Sequence, residues 1–227
     1  MEFKEEHELR TAHLSFIGKI LSVFTHELNN HLAIIKESAG LIDDILTVNK
    51  SSARQELEGC SKALQLITEQ IGKTSYLARN LNLFGHRMDK PVSSFNVNES
   101  LNELLVLLNR AASQKMIGFE KDFGGNIPAI QSDPAGLQFL IFCLIEKGLK
   151  KLDKNGKILL KTSHLKELLS ISIIMKGDLI DTDDIEVCKD ETFKYLLNQL
   201  RGNIVRSAVN QEVIITLPLF MHSDGKM

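Results

Sequence analysis

From Leu14 onward, apolar residues return at heptad spacing. Residues 14, 21, 28, 35 and 42 are Leu, Leu, Leu, Ile and Ile, and residues 17, 24, 31, 38 and 45 are Ile, Phe, His, Ser and Ile. An a/d pattern held this long, with polar residues at two of the d positions, predicts one long helix. The segment NKSS at 49–52 breaks the period, and Ser52 is placed to cap a second helix. That helix repeats the scheme. Leu57, Leu64, Ile71 and Ala78 lie on one seam, and Cys60, Ile67, Thr74 and Leu81 lie on the other. Pro91 forbids its continuation. Two antiparallel helices of about 35–40 residues would make a hairpin roughly 50–60 Å long. One hairpin cannot cover both seams, so the expectation is a homodimer in which two chains form a four-helix bundle.

After Pro91 the pattern changes to alternating helices and short strands. NESLNELLVLLNRAASQK at 98–115 reads as an amphipathic helix with Asn98 as its N-cap, and IGFEKDF at 117–123 alternates like a strand. SDPAGLQFLIFCLIEKGLKKL reads as a mostly buried helix, capped by Asp133 with Pro134 at its first position. GKILLKTS and KELLSISIIM are strands. DETFKYLLNQLRG is a helix that Gly202 closes, and NIVRSAV and QEVIITLPL form a last hairpin around NQ. The expected fold class is α+β. A helical hairpin occupies residues 1–90, an α/β sandwich residues 91–221, and a tail residues 222–227.

Composition narrows the function classes. A formal charge of −2 and a pI near 6.4 give no sign of a nucleic-acid partner or of attraction to a membrane surface. Cys60, Cys143 and Cys188 stand far apart, without the spacing of a disulfide framework or a metal site. The longest apolar run, FLIFCLI at 139–145, is well short of the roughly 18–20 residues that span a bilayer. The N-terminal MEFKEEHELR is charged and lacks the apolar segment of a signal peptide. A cytoplasmic protein with no membrane segment is expected.

One stretch, FTHELNNHLAII at 24–35, interrupts the apolar pattern with candidate chemistry. With Leu21 at a and Phe24 at d, His26 falls at f, the position farthest from the seam. Glu27 is adjacent, and Asn30 lies one turn on at i+4, on the same face. An arbitrary histidine at f belongs to a solvated polar face. His31, at d, reads as a polar residue of the bundle core or of the seam between subunits. His13 also lies outside the a and d seams, but its neighbours Ala12 and Leu14 offer no acid or amide. Only His26 combines an outward position with an adjacent carboxylate and an amide on its face.

HELNNHLAII resembles the H-box of two-component histidine kinases, written H-E-L-x-N-P-L, on the first helix of a dimeric four-helix bundle. The resemblance implies that His26 accepts phosphate and that Glu27 is its acid/base neighbour. It implies that Asn30 positions water when a response regulator is dephosphorylated. His31 stands where proline is usual, which should straighten the helix without removing the reactive group. The chemistry suits the residues: a neutral imidazole is a good nucleophile near neutral pH, and an adjacent carboxylate can orient it and take its proton.

The second half resembles the gyrase- and kinase-type ATP-binding domain that follows the H-box. FNVNESLNELL, IPAIQSDPAGLQFLIFCLI, GKILLKT and LRGNIVRSAVNQEVIITLPL come in the expected order, so the resemblance covers nearly the whole chain. Its nucleotide residues are missing. Where the family carries two asparagines four apart for Mg²⁺ and phosphate, this chain has Cys143 and Lys147. Where D-x-G-x-G is expected, IIMKGDLIDTDDIEV offers only Gly177, and the next glycine is Gly202. The acidic run GDLIDTDD would repel a triphosphate. Asp178 or Asp181 as an adenine-binding relic is a weaker reading than an acidic surface loop. No cofactor and no metal are expected.

The function implied is a histidine phosphotransferase, passing phosphate to or from response-regulator aspartates through His26 without ATP. Dimeric phosphotransferases of sporulation and cell-cycle relays have this build. A response-regulator phosphatase or non-transferring adaptor acting through Glu27 and Asn30 is the alternative. A divergent sensor kinase and a purely structural dimerisation module follow behind it. The partners are a second copy and receiver domains.

Overall fold

The computed structural model describes residues 2–47, 53–180, 191–207 and 211–219. Helices α1 (Glu2–Thr47) and α2 (Ala53–His86) pack side by side as the predicted hairpin. At 46 residues α1 is about 69 Å long, because the charged segment before Leu14 is helical too. One face is closed within the chain, by Phe16, Ile20, His31 and Ser38 on α1 and by Ala63, Gln70, Leu77 and Phe84 on α2, a row next to the predicted seam of Cys60, Ile67, Thr74 and Leu81, which is only half-buried. The polar member at d is satisfied there, with His31 Nδ1 3.1 Å from Thr74 Oγ1. Near the distal end Gly59 admits Ile45, whose Cδ1 would lie 2.8 Å from any added Cβ. The other seam has no cover among the described residues. Leu14, Leu21, Leu57, Leu64 and Ile71 are all exposed.

The remainder runs β1 (Ser93–Phe95), α3 (Val97–Gln114), β2 (Gly118–Phe123), β3 (Ile130–Ser132), α4 (Pro134–Lys151), β4 (Lys157–Leu165), β5 (Leu168–Lys176), α5 (Glu191–Gln199), β6 (Asn203–Ser207) and β7 (Glu212–Pro218). The sheet order is β2-β4-β5-β7-β6, with β2 parallel to β4 and the other pairs antiparallel. β1 and β3, too short for their alternation to be read, pair as a separate ribbon. Alternation in β5 and β7 turns Leu169, Ile171, Ile173, Val213, Ile215 and Leu217 into the core. α4 is buried on nearly all sides because it lies between this sheet and α1. The expected α+β class, helical hairpin followed by α/β sandwich, is the observed one.

Two sequence expectations need correction, and five fall outside the described residues. Asn96, not Asn98, caps α3: its extended backbone lets its side chain accept from Glu99 N at 3.2 Å. Asn98 instead donates to Gly124 O and accepts from the Thr162 hydroxyl, tying α3 to the sheet. The left-handed residue after α5 is Arg201, at φ 51°, while Gly202 is required by crowding. A Cβ on Gly202 would meet Leu217 Cδ2 at 2.7 Å and Leu197 Cδ1 at 2.8 Å. Ser52 as a cap, the NQ turn at Asn210, Cys188, Asp181 and the tail 222–227 lie outside the described residues.

Two of the contacts between hairpin and sandwich lie at either side of their junction. Arg87, just past α2, grips the buried Glu103 of α3 through Nη2–Oε1 at 2.7 Å and Nε–Oε2 at 3.1 Å, and lies 5.7 Å over Phe95. On the other side His13 of α1 stacks on Phe16 and on Phe139 of α4, with ring centroids 6.0 and 5.1 Å apart. Against the outward position its heptad place suggests, His13 is half-buried, because α4 covers that face. Burial lowers its pKa, with Asp133 pulling the other way.

Removing one partner of a buried ion pair strands the other charge. Arg87→Ala should therefore lose about 3 kcal/mol in denaturant unfolding, and Arg87→Met with Glu103→Leu should recover most of it. For His13 the unfolded chain takes up a proton first as pH falls below the ordinary 6.5, so the fold loses stability on acidification. His13→Phe should keep the stack and lose less melting temperature than wild type between about pH 7.5 and 5.5.

Candidate functional site

Consecutive helical residues point about 100° apart, so His26 and Glu27 do not share one direction. His26 is exposed. Glu27 and Asn30 are half-buried and turn toward α3. Glu27 Oε2 accepts from Arg110 Nη1 at 2.5 Å, and its Oε1 lies 3.5 Å from His31 Nε2. In the amide orientation that satisfies both groups, Asn30 accepts from Arg110 Nη1 at 2.5 Å and Nη2 at 2.9 Å. Arg110 Nε is buried without a partner. These groups line a cleft of about 770 Å³ between α1, α2 and α3, with Phe24, Leu77 and Phe119 among its apolar walls and Lys73 and Lys121 also on its lining.

The sequence therefore located the stretch but not its company. Glu27 and Asn30 stay within a turn of His26, yet their polar ends meet a guanidinium that lies 83 residues further along the chain from Glu27. No local signal singles out Arg110; it is an ordinary basic residue in the amphipathic pattern of α3. His31 takes the inward place its d position implies.

The second candidate region, the resembled nucleotide site, is chemically different from the family's. Cys143 is half-buried, carries a thiol and packs on the core, and Lys147 offers an ammonium. Neither supplies the neutral oxygen that Mg²⁺ takes. The outward face of α4 is occupied by α1: Phe16 sits 4.5 Å from the Phe142 ring, and Lys19 pairs with Glu146. Gly177, at φ 131°, is pressed against Gly156, whose Cα would lie 3.0 Å from an added Cβ. Beyond it Asp178 O accepts from Asp153 N, and Ile180 N donates to Lys151 O, so this backbone closes on the α4–β4 connection. These residues do not fit a magnesium–nucleotide complex. Among the described residues no group of His, Cys, Asp and Glu is arranged to hold a metal ion, and no helix is long and apolar enough to cross a membrane.

The fold is similar to that of a histidine-kinase catalytic domain. The catalytic domain of histidine kinase ThkA is 16% identical over 58% of this chain and 100% of that one, with a TM-score of 0.50. ThkA in complex with the response regulator TrrA is 18% identical over 96% of this chain and 66% of that one, at 0.46. The Acinetobacter baumannii histidine kinase AdeS is 14% identical over 86% of this chain and 98% of that one, at 0.46. At 16% identity the first of these likenesses is one of fold. No protein-family model matches the sequence, and no curated protein matches it.

Proposed function

We propose that this chain is a histidine phosphotransferase of a two-component relay, with His26 as the phosphate carrier and no ATP step. One observation carries the reading: an exposed histidine with a carboxylate and an amide within a turn, on a kinase-like fold whose nucleotide positions hold Cys143 and Lys147. On this reading residues 1–90 are the dimerising transfer module and residues 91–221 a retained ATPase-like domain without nucleotide chemistry. It works in the cytoplasm, and receiver domains are its partners.

In the forward step an imidazole nitrogen of His26 bonds to the phosphorus of a receiver's aspartyl phosphate. The P–O bond to the aspartate breaks, its carboxylate leaves, and the imidazole proton passes to Glu27 or to water. Running the step backward loads a second receiver. Such transfers depend on positioning and electrostatics more than on covalent assistance. A fixed helical site facing solvent suits them.

The uncovered apolar seam supports pairing of two copies, since Leu14, Leu21, Leu57, Leu64 and Ile71 together make a long exposed stripe. Charges placed at Leu28 and Ile71 should yield monomeric or aggregated protein in light scattering. A well-folded wild-type monomer in dilute solution would contradict the pairing.

The decisive measurement is transfer of label from phosphorylated receiver domains to wild type and His26→Ala. The variant should take up no acid-labile phosphate, while its stability stays within about 0.5 kcal/mol of wild type. If receivers lose phosphate without labelling wild-type His26, the phosphatase reading replaces this one. Calorimetry should show no binding of ATP at millimolar concentration with or without Mg²⁺; micromolar affinity would favour a divergent kinase.

A further inference from the structure

We infer that Arg110 is a positioning residue for the His26 site: by clamping Glu27 and Asn30 it decides whether phosphate passes to histidine or to water. The inference rests on the phosphotransferase reading above and adds to it a role for the second domain.

The geometry is specific. One planar guanidinium takes two acceptors spaced three residues apart on α1, Glu27 Oε2 and the Asn30 amide oxygen. Fork-shaped donors suit such a bridge, and a lysine ammonium does not reproduce it. The other Glu27 oxygen faces His31, which is itself anchored to Thr74. Both carboxylate oxygens are thus engaged away from His26, and the Asn30 oxygen is withheld from any water. A side chain so occupied neither takes the imidazole proton nor aims a nucleophile.

Arg110 is held firmly enough to do this. Its helix buries Leu101, Leu104, Leu105, Leu108 and Ala112, and the Arg87–Glu103 pair fixes the same helix to the end of α2. The clamp is nonetheless incomplete, because the buried Nε has no acceptor among the described residues. Its two halves are also only partly shielded from water, so it can open at modest cost. A domain without nucleotide donors would in this way still govern the chemistry of the hairpin.

The two fates of the phosphoryl group differ in one bond. In transfer a His26 nitrogen bonds to phosphorus as the aspartyl P–O bond breaks. In hydrolysis a water oxygen bonds to phosphorus, the same P–O bond breaks, and the water proton passes to solvent. Freeing Asn30 favours the second path, and freeing Glu27 quickens proton removal on the first.

Two assays on the full-length chain test this. In the first, a receiver domain charged with radiolabelled acetyl phosphate is incubated with wild type, Arg110→Ala, Arg110→Lys and the Arg110→Ala/Asn30→Ala pair. Phosphate release is divided by label on His26. Arg110→Ala should raise that ratio about tenfold, Arg110→Lys less, and the added Asn30→Ala should bring it back to the wild-type value or below, since Glu27 stays free. In the second, His26 is phosphorylated directly by phosphoramidate with no receiver present, and Arg110→Ala should label several-fold faster than wild type. Unchanged ratio and unchanged phosphoramidate rate, with melting temperatures alike, overturn the role of Arg110 while leaving His26 as carrier. Failure of every receiver to label His26, when phosphoramidate does label it, overturns the functional reading instead, and the second assay then judges Arg110 by itself.

Discussion

The packing of Phe16 is the contact on which the arrangement depends. This side chain is fully buried among Phe84 of α2 and Phe139 and Phe142 of α4, so a single ring belongs to both the hairpin and the sandwich. Aromatic clusters of this kind add to area burial through their ring geometry. Because α1 is one unbroken helix, anchoring it at Phe16 also fixes the heading of everything ten residues and three turns on. His26 and its neighbours are therefore delivered to the edge of α3 as a consequence of core packing.

That sharing of α1 explains how the polar groups are distributed. Along its first third the helix faces α4, and Lys19 and Glu146 pair at the rim. In the middle it faces α3, where Glu27 and Asn30 meet Arg110. Further on its neighbour among the described residues is α2, and the seam there is kept narrow by Gly59. Each polar side chain is oriented by whichever element happens to lie opposite it.

The chain order of helices and strands was readable because it rests on local rules. Heptad spacing, the Asp133–Pro134 start and the alternation of β5 and β7 are all short-range signals, and the structure follows them. What was not readable depended on contacts between distant segments. Asn98 and Asn96 are equally good caps on paper, and only the reach of Asn98 to Gly124 and Thr162 separates them. His13 reads as outward until α4 is laid across it. The candidate site divides the same way: the HELNN wording marked α1, whereas Arg110 becomes visible only once α3 is folded against that helix. The cost of ordering such contacts is met by tertiary packing, which no seven-residue window contains.

The sheet's outermost strand has its own consequence. β2 ends the sheet with the sequence GFEKDF, and its charges are engaged inward: Glu120 receives Lys157 and Lys176, whose hydrogen bonds hold its carboxyl down to about 2, and Asp122 faces Lys161. A foreign strand adding there would have to line up beside a dense alternation of fixed charges, which is how natural sheets resist edge-to-edge aggregation. The opposite border, β6, carries Arg206 and is only five residues long. With both borders blunted, the sticky surface of this molecule is left to its helices.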